Sequence, residues 1–365
     1  MILEPNLKHE REDSTMKIIN VTHHDLDGIG CPIVLKVAFP REVLDVYYCS
    51  YHDVEAKVAE VIEDLRGVKK VYITDISFRK ESGLTEKIDA INKAYYKRHG
   101  EYQIEVYDHH ATSSYLNAYD WAQSHEVDET GKENCGTMWL YKAVAEKLNM
   151  ATLDEFVRLV NLYDTWRWVN DFPAGKPYEP AKNLNMIFGI MGKKEFFNTY
   201  VRRIRKDKEL FSRSDIKMLT YKLNEISGDV AKKNKELMVT DFTYETKQRN
   251  LSFIESYLKE NWAKVGKMDY LLNPDYKKTF KVGICFCSRN ISDVGNELCR
   301  MNPQLDFIIL INLPNAISFR SSGKLEVPLG IIAQYVTGKG GGHPQSAGSV
   351  VTQDKLMKIL ETIFD

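Results

Sequence analysis

Three short stretches of the sequence gather side chains that bind divalent cations: His23-His24-Asp25-Leu26-Asp27-Gly28, Asp75, and Asp108-His109-His110. Each follows directly on an apolar, β-rich run, over Lys17–Thr22, Lys70–Thr74 and Tyr102–Tyr107. In an open parallel sheet the carboxyl ends of the strands share one edge, where ligands bind, so three segments would deliver carboxylates and imidazoles to one crevice. Left bare, such a cluster is a block of mutually repelling carboxylates. Hard divalent cations neutralise it, and Asp/His ligation without thiolate suits Mn²⁺ or Mg²⁺ better than a closed structural zinc site. The one-residue gap between Asp25 and Asp27 lets two carboxylates of one loop reach different ions, and Asp75, standing alone, is the natural bridge. Two ions roughly 3.5–4 Å apart would activate a water and clamp a phosphoryl group for in-line displacement. Asp164, at the edge of an apolar helical stripe, is a fourth candidate, because a carboxylate there needs a partner. Taken singly, an Asp after a strand is a turn residue or a helix cap. Recurrence at three strand ends is what no packed core requires.

A second set of candidates is weaker. Gly338-Lys339-Gly340-Gly341-Gly342-His343 lacks the Lys-Ser/Thr of a P-loop and the spacing of a dinucleotide fingerprint. It reads either as a flexible loop or as a backbone surface that a phosphate or sugar approaches closely, with His343 as donor. Arg320, ending a strand, is either a surface arginine or a planar fork for a phosphate. The basic stretch 202–208 reads as the solvated face of a helix rather than a nucleic-acid track.

The elements that must hold these residues alternate strand and helix through the first 150 positions. Helices are expected over Ile29–Phe39, Ala56–Leu65 and Glu81–Arg98, with a further strand over Val43–Cys49. That alternation predicts a parallel α/β sheet. From Cys135 to Met238 the period is helical. Thr152-Leu153-Asp154-Glu155 has the form of a capping box, and Ile216–Met238 runs without proline as one long helix. One more helix is expected over Leu251–Val265. After Thr279 the alternation returns, with strands over Phe280–Phe286, Asp306–Asn312 and Ala316–Arg320 and helices over Ser292–Arg300 and Pro328–Val336. The pattern divides the chain into a mobile extension (1–15), an N-terminal domain (16–200), a helical linker with an inserted element (201–278) and a second α/β domain (279–365).

Composition bounds the function. The chain has 365 residues, 43% hydrophobic and 28% charged, as expected of a core-forming protein of two to three domains. Lys plus Arg number 50 against 51 Asp plus Glu, a formal charge of −1, which excludes a strongly basic coat for long nucleic acid but not a local groove. Six cysteines, none in C-x-x-C spacing, build neither a disulfide framework nor a zinc site. No apolar window is long enough to span a membrane, and the first fifteen residues are not a secretory signal, so a cytoplasmic location is expected.

With its motifs in this order, the sequence resembles the DHH–DHHA1 phosphoesterase superfamily, named for the triad Asp108-His109-His110, and within it the NrnB-type oligoribonucleases (nanoRNases). Further matching stretches are Ile73-Thr74-Asp75, Tyr163-Asp164-Thr165-Trp166, Gly295-Asn296-Glu297-Leu298, Ser318-Phe319-Arg320 and Gly340-Gly341-Gly342-His343. The resemblance implies an α/β protein with a parallel-sheet DHH domain, a helical connecting region and a smaller α/β DHHA1 domain, the active site lying in the cleft between them. It implies two divalent cations, Mn²⁺ first and Mg²⁺ as the alternative. His23, Asp25 and Asp75 would hold one ion, and Asp27, Asp75, His109 and Asp164 the other. Asp75, His110 and Asp108 would be the catalytic residues, His110 meeting the scissile phosphate while Asp108 orients the imidazoles. Arg320, Gly341, Gly342 and His343 would bind the terminal nucleotide and so act as a ruler. The expected activity is hydrolysis of short single-stranded oligoribonucleotides or dinucleotides to nucleoside monophosphates. Expected partners are these substrates and no membrane, with a homodimer as one assembly left open. A pAp-type bisphosphate phosphatase, a cyclic or linear dinucleotide phosphodiesterase, and a nucleotide-binding module without hydrolysis are the alternatives; the intact acidic set weighs against the last.

Overall fold

The computed structural model describes residues 16–173, 176–261 and 265–364; the extension expected over 1–15 lies outside them. The chain forms two compact units that divide between Leu219 and Thr220.

The first unit is built on five parallel strands, β1 (Lys17–Thr22), β2 (Val43–Tyr48), β3 (Val68–Thr74), β4 (Ile104–Asp108) and β5 (Ala122–Ser124), in the order β2-β1-β3-β4-β5. Helices α1 (Leu26–Ala38), α2 (Val54–Glu63) and α3 (Leu84–His99) connect them. β1 and β3 read as nearly continuous apolar runs because a parallel sheet is covered on both faces. Val21, Val71, Ile73, Ile104 and Val106 pack with Val54, Val58 and Ile88 of the covering helices. The chain steps from β1 outward to β2, then back across β1 to β3. The ends of β1 and β3 therefore flank the point where strand order reverses, the crevice in which sheets of this kind bind ligands. Helices α4 (Gly136–Val144), α5 (Ala151–Asp164), α6 (Arg167–Asn170) and α7 (Glu179–Arg205) follow, with α4, α5 and α7 packed on α1.

Two local expectations are corrected. The helix after β1 starts at Leu26, not Ile29, because Asp25 caps it by accepting the Gly28 N–H. The capping box at Thr152 does not form: α5 opens at Ala151 with no side-chain cap. Its polar residues are engaged elsewhere, Thr152 Oγ1 with Asp207, Asp154 with the Tyr141 hydroxyl and Glu155 with Arg158.

Within the basic stretch at 202–208, Arg203 turns inward and pairs with the fully buried Asp215 at 2.7 Å, near the start of α8 (Arg213–Lys235). Breaking a buried pair leaves an uncompensated charge, so Asp215→Asn should lose about 3 kcal/mol of stability at neutral pH. Burial pushes the Asp215 carboxyl up, but the bonds from Arg203 and Ser212 outweigh it and hold the group below its ordinary value. A depressed folded value means the stabilisation is present above the unfolded carboxylate value and lost as pH falls through the folded one. Parent and variant should therefore diverge in thermal melts at pH 7 and converge well below about pH 4.

The second unit carries a six-stranded sheet in the order β10-β11-β9-β8-β7-β6, from β6 (Met238–Glu245), β7 (Lys277–Phe286), β8 (Phe307–Asn312), β9 (Ala316–Arg320), β10 (Gly341–Gly342) and β11 (Ser346–Val350). Only β7 and β8 run parallel within it. Helices α9 (Leu251–Glu260), α10 (Ile291–Met301), α11 (Leu329–Thr337) and α12 (Gln353–Phe364) accompany it. Much of the stretch expected as a linker with an insertion instead belongs to this unit. β6 pairs with β7 along its whole length, and Phe242, Tyr244, Ile254 and Tyr257 enter the core with Phe280, Phe307 and Phe319. Among the described residues no helix is long and apolar enough to cross a membrane.

Candidate metal centre

Asp75 follows the last residue of β3 and adopts a φ of 55°, a left-handed conformation that residues other than glycine take uncommonly, asparagine and aspartate more often than the rest. Its N–H is held by the Tyr107 carbonyl at 2.9 Å. The start of α4 presses on it: a Cβ at Gly136 would stand 2.9 Å from the Asp75 Cα, so only glycine lets the helix approach this closely. The carboxyl is buried between two donor sets. Oδ2 lies 3.9 Å from His23 Nδ1 and Oδ1 lies 3.4 Å from His109 Nε2. Oδ2 has no hydrogen-bond partner, although it is fully buried. Burial and the charges of Asp27, Asp25 and Asp164 push the Asp75 carboxyl well above its ordinary value. A carboxylate so placed wants a cation.

On one side of Asp75 stand His23 and Asp25, and these three can offer one ligand atom each within a single coordination sphere. Asp25 is already oriented, with Oδ1 on the Gly28 N–H at 2.9 Å and Oδ2 at 2.8 Å from His23 Nδ1. On the other side, His109 Nε2 lies 3.8 Å from Asp27 and 3.5 Å from Asp164, and those three form a second set. Burial and the neighbouring His110 charge hold the His109 pKa down, which favours the neutral imidazole that a metal ligand requires. Asp27 is placed by α4: its two oxygens accept the N–H groups of Gly136 (2.7 Å) and Thr137 (2.8 Å), while each keeps lone pairs for a cation. All six expected ligands therefore meet at the strand ends, and the oxygen- and imidazole-rich set suits a hard or borderline divalent ion.

Asp108, the buried last residue of β4, takes the His109 N–H at 2.8 Å and His110 Nδ1 at 2.7 Å on one oxygen. Burial alone would lower the His110 pKa, but the bond to Asp108 and its charge carry it up to about 9. The Nε2 of His110 points away from Asp108 and meets the Tyr51 hydroxyl at 2.9 Å.

The remaining expected residues belong to the second unit. Arg320 on β9 pairs with Ser346 on β11, Gly341 and Gly342 on β10 pair with Gly348 and Ala347, and the His343 N–H donates to Ser346. Three adjacent strands thus bring the four together at one edge of the sheet. Gly342 has a φ of 136°, and a Cβ there would strike the Ser346 carbonyl at 2.6 Å. The half-buried Arg320 guanidinium donates to the carbonyls of Phe319 and Ala347 and to Ser292 Oγ, all neutral acceptors. Tyr51 and the paired N–H groups of Gly136 and Thr137 were not foreseen. The only trace of the latter is a Gly-Thr step where a helical pattern begins.

No family model matches the chain. The chain is 26% identical to the oligoribonuclease NrnB of Bacillus subtilis over 349 residues, 91% of this chain and 72% of that protein. It is 23% identical over 350 residues to a 3′,5′-cyclic-nucleotide phosphodiesterase of Helicobacter pylori, 92% of this chain and 93% of that one. The structure of a pGpG-specific phosphodiesterase from Vibrio shares the fold at a TM-score of 0.50 and 11% identity, covering 95% of this chain and 97% of the other. A parallel sheet with acidic and imidazole-bearing strand ends, followed by a second mixed-sheet unit, is a two-domain α/β fold shared with the Vibrio phosphodiesterase. The Asp108-His109-His110 triad in its place, and relatives similar along the length of the chain, fit the DHH phosphoesterase superfamily.

Proposed function

We propose that this protein is a phosphodiester hydrolase that degrades short single-stranded oligoribonucleotides to nucleoside monophosphates with two divalent cations, Mn²⁺ first among them. The observation that carries the reading is Asp75, a buried carboxylate whose two oxygens face separate His/Asp sets. His23, Asp25 and Asp75 would hold one ion; Asp27, Asp75, His109 and Asp164 would hold the other. Cations bound there supply Lewis acidity toward the phosphoryl oxygens and activate water. The chain's own part is orientation and charge. Asp108 fixes the His110 ring and keeps it protonated, so that Nε2–H donates to a non-bridging phosphate oxygen where charge develops. Arg320, His343 and the backbone at Gly341 and Gly342 would bind the terminal nucleotide, Arg320 offering a guanidinium that has no anionic partner of its own among its hydrogen bonds. All six cysteines are free and buried, in keeping with a reducing, cytoplasmic setting.

A second reading, cleavage of linear or cyclic dinucleotides, is favoured by the pGpG named as substrate of the Vibrio protein; the Helicobacter relative is named for 3′,5′-cyclic nucleotides, phosphodiesters of a single nucleotide. The test is one assay with Mn²⁺ on labelled RNA of two to five nucleotides, pAp, cyclic dinucleotides and long RNA. Preference for the short RNA supports the first reading, cleavage of dinucleotides alone supports the second, and activity on pAp alone overturns both. Arg320→Ala should raise KM for the preferred substrate by about ten- to a hundredfold with kcat largely kept, the cost of one charged hydrogen-bonding partner. An unchanged KM would mean that the terminal nucleotide is bound elsewhere.

A further inference from the structure

We infer that Lys193, together with His24 and Tyr48, forms a subsite for a second phosphate of the substrate, one imidazole beyond the metal ligands. The inference rests on the phosphodiesterase reading and extends it to what the substrate carries besides the scissile bond. Helix α7 breaks at Gly192, whose φ of 70° and ψ of 167° lie outside helical space, and resumes with Lys193. Lys193 Nζ lies 2.6 Å from His24 Nδ1 and 4.6 Å from the centroid of the Tyr48 ring. The His24 and Tyr48 rings stack at 6.3 Å and 25°, so amine, imidazole and phenol make one unit. An ammonium has donors only, so His24 Nδ1 is the acceptor and the imidazole is neutral. These two partners satisfy one N–H by hydrogen bonding and the charge only through a ring face, and neither is anionic. Of the acids acting on His24, Asp25 is turned to Gly28 and His23, and Asp53 to the N–H and hydroxyl of Ser50.

A half-buried ammonium, fixed by neutral groups and keeping two N–H donors, is therefore ready for an anion. Its place says which one. The His24 ring sits 6.0 Å from that of the ligand His23, and the amine is bonded to this second ring rather than to His23 itself. A phosphate belonging to the neighbouring nucleotide would meet it there. That phosphate has two sources, a terminal monoester or the next internucleotide diester.

Three substrates separate them: NpN, which has only the scissile phosphate, pNpN, which adds a terminal monoester, and NpNpN, which adds a diester. With Mn²⁺, Lys193→Gln should lower kcat/KM for pNpN or for NpNpN, relative to NpN, by about tenfold through KM, and Lys193→Arg should restore it. Selective loss on pNpN assigns the monoester and on NpNpN the diester. Equal losses on all three, or no loss, overturn the subsite. If the parent cleaves none of the three, the phosphodiesterase reading fails while calorimetric titration with Ca²⁺ in place of Mn²⁺ still decides the subsite. Tighter binding of pNpN or NpNpN than of NpN, abolished in Lys193→Gln, supports it; equal affinities in parent and variant overturn it.

Discussion

Asp75→Asn is expected to cut turnover of a short oligoribonucleotide by at least about a thousandfold, yet to leave the metal-free protein as heat-stable as the parent or more so. Both halves follow from one geometry. The carboxyl is buried, its oxygens divide between His23 and His109, and Asp25, Asp27 and Asp164 surround it. With cations bound as proposed, the charge would be the shared counter-ion of the centre, and an amide could not replace it. With cations removed by EDTA, the same charge is opposed by three carboxylates and by burial, and asparagine relieves that at nearly constant volume. Initial rates with Mn²⁺ test the first half and melting curves in EDTA the second. Added Mn²⁺ should raise the parent's Tm by mass action and move the variant's little. Parent-like rates would mean that Asp75 bridges nothing.

What the sequence disclosed and what it withheld follow from the range of the interactions. The ends of β1, β3 and β4 were legible because each run rich in β-branched and aromatic residues breaks off at an acid or an imidazole. β1 and β3 are buried on both faces, while β4 alternates buried and half-buried positions. His23, Asp75 and Asp108 stand at those breaks. β6 was not legible: its inward residues Phe242 and Tyr244 alternate with Thr and Asp, and its exposed Met238 and Val239 blur the pattern. The capping box at Thr152 was a local pattern overruled by partners far along the chain. The contacts that complete the site are of the same long range. His24 meets a lysine 169 residues later, and Asp27 meets two N–H groups more than a hundred residues away. No spacing rule reports such pairs; only the packing of α4 and α7 on α1 does.

Asp27 provides the sharpest contrast with Asp75, because it does structural work besides the ligand role proposed for it. Its oxygens satisfy the first free N–H groups of α4, and its carbonyl accepts the Thr137 hydroxyl at 2.6 Å. Asp27→Ala leaves two buried donors without an acceptor, at a cost of about 2–4 kcal/mol. For a unit of this size that lowers Tm by about 5–12 °C, and it should do so in EDTA, where no cation contributes. Asp27→Asn should fall between, since its carbonyl oxygen can take one N–H while its amide nitrogen faces the other. Activity should be lost in both variants, so rates alone cannot separate the roles of Asp27 and Asp75; the metal-free melts can. A metal-free Asp27→Ala protein melting with the parent would show that α4 is held by other means. If instead the order is Asp75→Asn at or above the parent, then Asp27→Asn, then Asp27→Ala, one carboxylate serves the cations at the fold's expense. The other would tie the proposed cation site to the helix whose glycine makes room for it.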